Sequence, residues 1–287
     1  MEQRADGSYT YLNEDGAIVL QKDGVTSIPA EIDHTLVDRK SWEEHYLPKL
    51  KFSEERFDSQ SIAKFEKEAV TRDEPLVLFC KSLFGHIRNW MGVVGISYLY
   101  ADDVELYDEI IGTVAELSYK ITERLLKTGM QFDTAHFWED ICFKNGPLVS
   151  PSVFAEKVGP YYCKITKLLN LHGVDIVSLD CDGDIDTLAP IWLENGVNTM
   201  FPIEVGTWGG SIAKLREKLG RDVRGIGGMN KHVLCEDYAA VDREIERLKP
   251  LVAMGGYIPC PDHRLPPDTK WEVVQYYCEQ MRKTFIR

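Results

Sequence analysis

The sequence predicts an α/β protein built as a TIM-like (β/α)8 barrel, and three observations carry the prediction. From residue 74 onward, short apolar runs alternate with longer amphipathic stretches, the order expected of parallel βαβ units. Charged or otherwise special residues follow several of the apolar runs, where a barrel of this kind carries its chemistry. No G-x-G-x-x-G or G-x-x-x-x-G-K-[ST] follows a predicted strand, so the alternative, an open doubly wound sheet, lacks its dinucleotide and P-loop signatures.

The elements follow in order. Residues 8–30 alternate weakly between apolar and polar and carry turn signals at Glu14 to Gly16 and Lys22 to Gly24, which predicts a small hairpin over 8–22. Residues 31–74 are polar, aromatic and charged, and read as short helices anchored by Trp42, Tyr46, Leu47 and Phe57. The predicted strands are PLVLFCKSL, TAHFWEDICF, VDIVSLDCD, NTMFPIE, DVRGIGGM and GGYIPCP. Helices are expected near 103–129, 152–172, 186–195, 208–219, 236–250 and 268–284. Six strands are thus expected where a closed barrel needs eight, so either the barrel is incomplete, another subunit covers the gap, or further strands escape notice; the chain reads as a single domain over 1–287 with the barrel strands and helices at 75–287.

Composition removes several function classes. The chain has 287 residues, 44% of them apolar, enough for a large buried core. Asp and Glu total 46 against 33 Lys and Arg, a net charge of -13, and that field has the wrong sign for a general nucleic-acid binder. Seven cysteines with no paired framework favour a reducing compartment. The first residues show no basic stretch followed by an apolar one, and the longest apolar runs, near 76–80 and 91–100, fall short of the roughly 20 residues needed to cross a bilayer. A cytoplasmic protein without a membrane partner is the expectation.

Three segments could carry chemistry. In LDCDGDID, Asp180, Asp182, Asp184 and Asp186 stand at alternate positions. On a continuing strand they would share a face and repel, so the strand should stop at Asp180 and Gly183 should open the loop. The acids would then surround a polar pocket able to hold a cation or share a proton, or form a solvated turn. In GGYIPCPDH, Cys260 and His263 could be metal ligands, a nucleophile and its base, or loop residues. In HFWED, strand alternation places Glu139 and Asp140 on opposite sides, with Glu139 expected in the site and Asp140 supporting the structure. Lesser candidates are Lys81 and His86 after the first strand, Glu204 after MFPI, and Asn230 with His232 after GIGGM. Gly227 and Gly228 should permit close approach of backbone.

The stretches WEDICFKNGPLVSP, LDCDGDIDTLAPIWLENGVNTMFPIE and GGYIPCPDHRLPPDT resemble the uroporphyrinogen decarboxylase superfamily, most clearly its corrinoid-dependent methyltransferase-like branch, and the resemblance runs through nearly all of the chain. It implies a TIM-like barrel with a deep pocket at the C-terminal ends of its strands. Full-length members have about two further strands at the N-terminus, so the resemblance implies that this chain lacks them, together with the basic motif and catalytic aspartate of true decarboxylases. The missing strands would expose apolar surface and favour homo-oligomers. In the zinc-dependent methyltransferases a His-x-Cys-Gly motif follows a strand and a third ligand, a Cys, lies in the last barrel loop. Asp180 stands at the position of that His, Asp182 at that of the first Cys, and His263 at that of the late Cys. The implied ligand set is Asp180, Asp182 and His263, with Glu139 as fourth ligand or acid. The implied function is zinc-assisted methyl transfer from a small methyl donor such as a methoxylated aromatic, with the corrinoid carried by a partner protein. The alternatives are tetrapyrrole decarboxylation, and a non-catalytic homologue that binds a small ligand.

Overall fold

Six parallel strands make up the main sheet of a mixed α/β fold, the strand complement of an incomplete (β/α)8 barrel. The computed structural model describes residues 2–14, 16–25 and 29–286. The chain divides into two compact units, one formed by 1–139 and 152–175, the other by 140–151 and 176–287.

The first unit opens with a four-stranded antiparallel sheet of β1 (Glu2–Gln3), β2 (Ser8–Leu12), β3 (Ala17–Lys22) and β4 (Ala30–His34). The β2–β3 hairpin alternates as its sequence does, with Ser8, Thr10, Ala17 and Val19 turned inward. The segment after it differs from the expectation of helices alone, because β4 completes the sheet before α1 (Arg39–Ser41) begins. Asp38 starts α1 with a capping box: its carboxylate accepts from the Ser41 amide, and the Ser41 hydroxyl accepts from the Asp38 amide. Trp42 is fully buried and donates its indole N–H to Glu109 at 2.9 Å. Helix α2 (Ser59–Thr71) precedes the two parallel strands of this unit, β5 (Val77–Phe79) and β6 (Thr134–Trp138).

Between these strands lie α3 (Gly85–Asp102) and α4 (Val104–Leu126). The apolar run near 91–100, strand-sized by its length, is helical here, and α3 is kinked at Gly92, whose φ of 75° suits glycine. Helices α5 (Pro151–Lys157) and α6 (Gly159–Leu171) follow; α6 packs on α4, burying Tyr162, Ile165 and Leu169.

The second unit holds a short hairpin, β7 (Cys142–Phe143) with β8 (Gly146–Pro147), and four parallel strands. These are β9 (Ile176–Asp180), β10 (Thr199–Ile203), β11 (Arg224–Met229) and β12 (Tyr257–Pro261), each paired with the next. The helices are α7 (Ala189–Glu194), α8 (Val205–Trp208), α9 (Ile212–Leu219), α10 (Tyr238–Ala253) and α11 (Trp271–Phe285). Gly227 and Gly228 adopt positive φ inside β11, where the Tyr257 hydroxyl donates to the Gly227 carbonyl at 2.7 Å. A Cβ at Gly227 would stand 2.7 Å from the Ile203 backbone nitrogen, so the close approach expected of these glycines is one between neighbouring strands. All seven cysteines are free thiols, and no helix among the described residues is long and apolar enough to cross a membrane.

Candidate metal centre

Parallel strands of the second unit end in step. The register pairs Phe201 with Asp180, Ile203 with Gly227 and Met229 with Pro261, so the residues just beyond β9, β10 and β12 leave the sheet at one end. Those residues are Asp182, Glu204 and His263. One ligand atom from each lies within 4.8 Å of the other two, and among the described residues this is the one group of three or more such side chains so placed. The His263 imidazole Nε2 is 3.0 Å from an Asp182 carboxylate oxygen, and both side chains are about one-third exposed. Glu204 is buried, at 4% exposure. One of its carboxylate oxygens accepts from the Gly183 amide at 2.6 Å and the other from the Thr207 hydroxyl at 3.2 Å. Gly183 can make this bond because its φ is 88° and because it has no side chain. A Cβ there would stand 2.8 Å from the backbone of Cys142 and Phe143.

The electrostatics favour a cation. Burial pushes the pKa of Glu204 up, and the charge of Asp182 adds to the effect, while His263 opposes it. Asp180 is pushed up to about 7, first by burial and then by the charges of Asp182 and Asp140, again opposed by His263. The expected effect on stability has a definite sign. An aspartic acid whose pKa rises on folding stabilises the folded state below its ordinary pKa of 3.8, and that contribution is lost as pH rises through about 7. A shift of this size corresponds to ~4 kcal/mol if unscreened, reduced to roughly 2 kcal/mol by the partial exposure of the site. In chelator-treated protein, Asp180→Asn should therefore match wild type at pH 4 and exceed it by roughly 2 kcal/mol at pH 8 in urea unfolding. Equal stabilities at pH 8 would contradict this reading of Asp180.

The other acids of the LDCDGDID run leave the cluster. Asp184 accepts from the Asp186 amide at 3.0 Å as a turn, and Asp186 pairs with Lys218. Asp180, expected as a ligand, ends β9 and is not part of the three-residue group. Cys260 lies on β12, half-buried, and burial pushes its thiol pKa up, so it behaves as a small packed side chain. Asn230 caps the short turn that follows β11, accepting from the His232 amide at 3.1 Å.

Glu139, expected to be a ligand or acid, belongs to the first unit and has other work there. It is fully buried. Its carboxylate accepts from the Ser82 hydroxyl at 2.9 Å, the Leu83 amide at 2.8 Å, the Phe84 amide at 2.9 Å, the Gly85 amide and the Tyr162 hydroxyl. These amides lead into α3, with Phe84 as its N-cap and Gly85 its first residue, so Glu139 satisfies donors at a helix N-terminus that lack partners within the helix. Burial raises its pKa while these bonds lower it. Lys81 has a φ of 67° and holds its ammonium over the Phe79 ring, and His86 stacks on Trp90; both sit in the first unit.

Glu204 was legible as a charged residue directly after an apolar strand; its grouping with Asp182 and His263 was not, because it depends on the register of the strands and the path of the loops after them.

The fold is shared with a solved structure at low sequence identity. A methyltransferase from Methanosarcina mazei aligns with a TM-score of 0.60 and 16% identity over 90% of this chain and 72% of that one. A structure assigned to a vitamin-B12 independent methionine synthase from Listeria monocytogenes aligns at a TM-score of 0.43 and 15% identity, over 78% of this chain and 70% of that one. No family model matches the sequence, and no curated protein matches it. The chain therefore shares its fold with the Methanosarcina mazei protein and carries a candidate metal-binding triad at the end of its parallel strands.

Proposed function

We propose that this chain is a metal-assisted methyltransferase of the uroporphyrinogen decarboxylase superfamily, which removes a methyl group from an oxygen of a small donor such as a methoxylated aromatic. The observation that carries the reading is the triad of Asp182, Glu204 and His263 at adjacent strand ends. Three protein ligands with two partly exposed members fit a catalytic zinc site, which keeps a position open for substrate. The donor set is all oxygen and nitrogen, and this hard set also accepts iron or manganese. The bound ion would supply Lewis acidity at the ether oxygen.

The chain's own groups divide the remaining work. Glu204 is fixed by Gly183 and Thr207 and gives the site a rigid wall. Asp182 and His263 face solvent enough to meet a donor, and with Glu204 they would hold the ion. The methyl acceptor in this reading is a Co(I) corrinoid on a separate cytoplasmic partner protein. A second reading uses the 3.0 Å contact between His263 and Asp182 as a metal-free acid–base pair, as a tetrapyrrole decarboxylase would need.

Zinc-loaded protein mixed with a methoxylated aromatic and Co(I) corrinoid should convert the corrinoid to its methylated form, followed by absorbance. Metal-free protein that consumes uroporphyrinogen and leaves the corrinoid unmethylated would reject the first reading for the second.

A further inference from the structure

We propose that Asp262 is the positioning residue of this centre: one buried carboxylate ties together the backbone that follows β10, β11 and β12, and so sets Glu204 and His263 against Asp182. The inference rests on the reading of that triad as a metal site.

Asp262 is 1% exposed. One carboxylate oxygen accepts from the amides of Val205 at 2.8 Å and Gly206 at 2.9 Å. The other accepts from the amide of Lys231 at 3.0 Å, and the Asp262 amide itself donates to the Met229 carbonyl at 2.8 Å. Each of these bonds lies one or two residues from a side chain with a polar task. Val205 follows Glu204, Lys231 follows Asn230, and Asp262 precedes His263. The amides at Val205 and Gly206 open α8, and the amide at Lys231 opens the turn after β11, so none has a partner within its own element. A charged acceptor is the strongest partner that they can find.

The loops it joins are close-packed. A Cβ at Gly206 would stand 3.0 Å from the His232 ring and 3.5 Å from the Asn230 side-chain oxygen. Donors around a metal must hold their places to about 0.5 Å, and in this centre they come from three separate strand ends. Glu204 has its own bonds to Gly183 and Thr207, but those fix its carboxylate, not the path of its backbone. Asp262 supplies the second constraint and passes it directly to His263.

Asp262→Asn is the test. An amide can accept at one end only, and its other end turns N–H groups toward backbone N–H groups. The variant should bind Zn2+ about 10–100-fold more weakly than wild type. Its Co2+-loaded form should show an altered visible absorption spectrum, and the amides of Val205, Gly206 and Lys231 should lose protection from hydrogen exchange. Asp237→Ala removes the cap of α10, where Asp237 accepts from the Ala240 amide at 2.8 Å, and should leave zinc affinity and the Co2+ spectrum at their wild-type values. A folded Asp262→Asn with wild-type affinity and spectrum would overturn the proposal. Should Asp262→Asn fail to fold, Asp262→Ser, too short to reach all three amides, carries the same comparison. Should wild type bind neither Zn2+ nor Co2+, the metal reading falls and the positioning role at a metal centre falls with it, while the exchange data still decide whether Asp262 ties the three loops together. Protection of the three amides in wild type, lost in the variant, upholds it; wild-type amides that exchange without protection reject it.

Discussion

Glu139→Ala should be the most destabilising single change in the first unit. Two hydroxyls and three backbone amides converge on its buried carboxylate. Removing the side chain leaves all five donors without this acceptor, in a place where water has little access. An orphaned buried donor costs about 1–3 kcal/mol, and partial relaxation lowers the sum, so the expected loss is roughly 4–6 kcal/mol. That approaches the whole stability of an ordinary domain. Glu139→Gln keeps the shape but presents an NH2 group to fixed amides, and should lose roughly 2–3 kcal/mol. Urea unfolding checks both. A Glu139→Ala protein within about 1 kcal/mol of wild type would show that α3 does not depend on this carboxylate.

The second large effect belongs to the triad. Glu204→Gln and His263→Ala should each weaken zinc binding by about 100-fold or more, because each removes a ligand from a set of three. Asp180→Asn should change it by less than about fivefold, since Asp180 alters the local charge without contributing to the group. Competition with a chromophoric chelator measures all three. The reverse order, with Asp180 essential and Glu204 dispensable, would favour the ligand set implied by the family resemblance.

These two effects also mark what the sequence could reveal. The six parallel strands were legible because short runs bounded by turn residues alternate with longer amphipathic segments, and runs such as 176–180 and 199–203 have the length of strands. The apolar stretch near 91–100 reads less clearly. It lies in a helix, and short apolar runs do not distinguish a strand from a buried helical segment by periodicity. Asp182 and His263 stood out because special residues follow directly on strand ends, and their 3.0 Å contact spans 81 positions of sequence. Glu139 is ambiguous for a physical reason. A carboxylate at the end of an apolar strand looks the same in sequence whether it meets a metal or the first turn of a helix, and here it meets the amides of Leu83, Phe84 and Gly85. Asp262 carried no signal of its own, since its partners are backbone groups contributed by residues 31 to 57 positions away.

X-ray absorption at the zinc edge, on protein loaded with one equivalent of Zn2+, tests the central claim most directly. The donor set of Asp182, Glu204 and His263 predicts a shell of oxygen and nitrogen at about 2.0–2.2 Å, with the outer scattering of one imidazole and no sulfur. A sulfur scatterer at about 2.3 Å would place a cysteine among the ligands, and protein that loses its zinc on dialysis would have no such centre; either result would contradict the account.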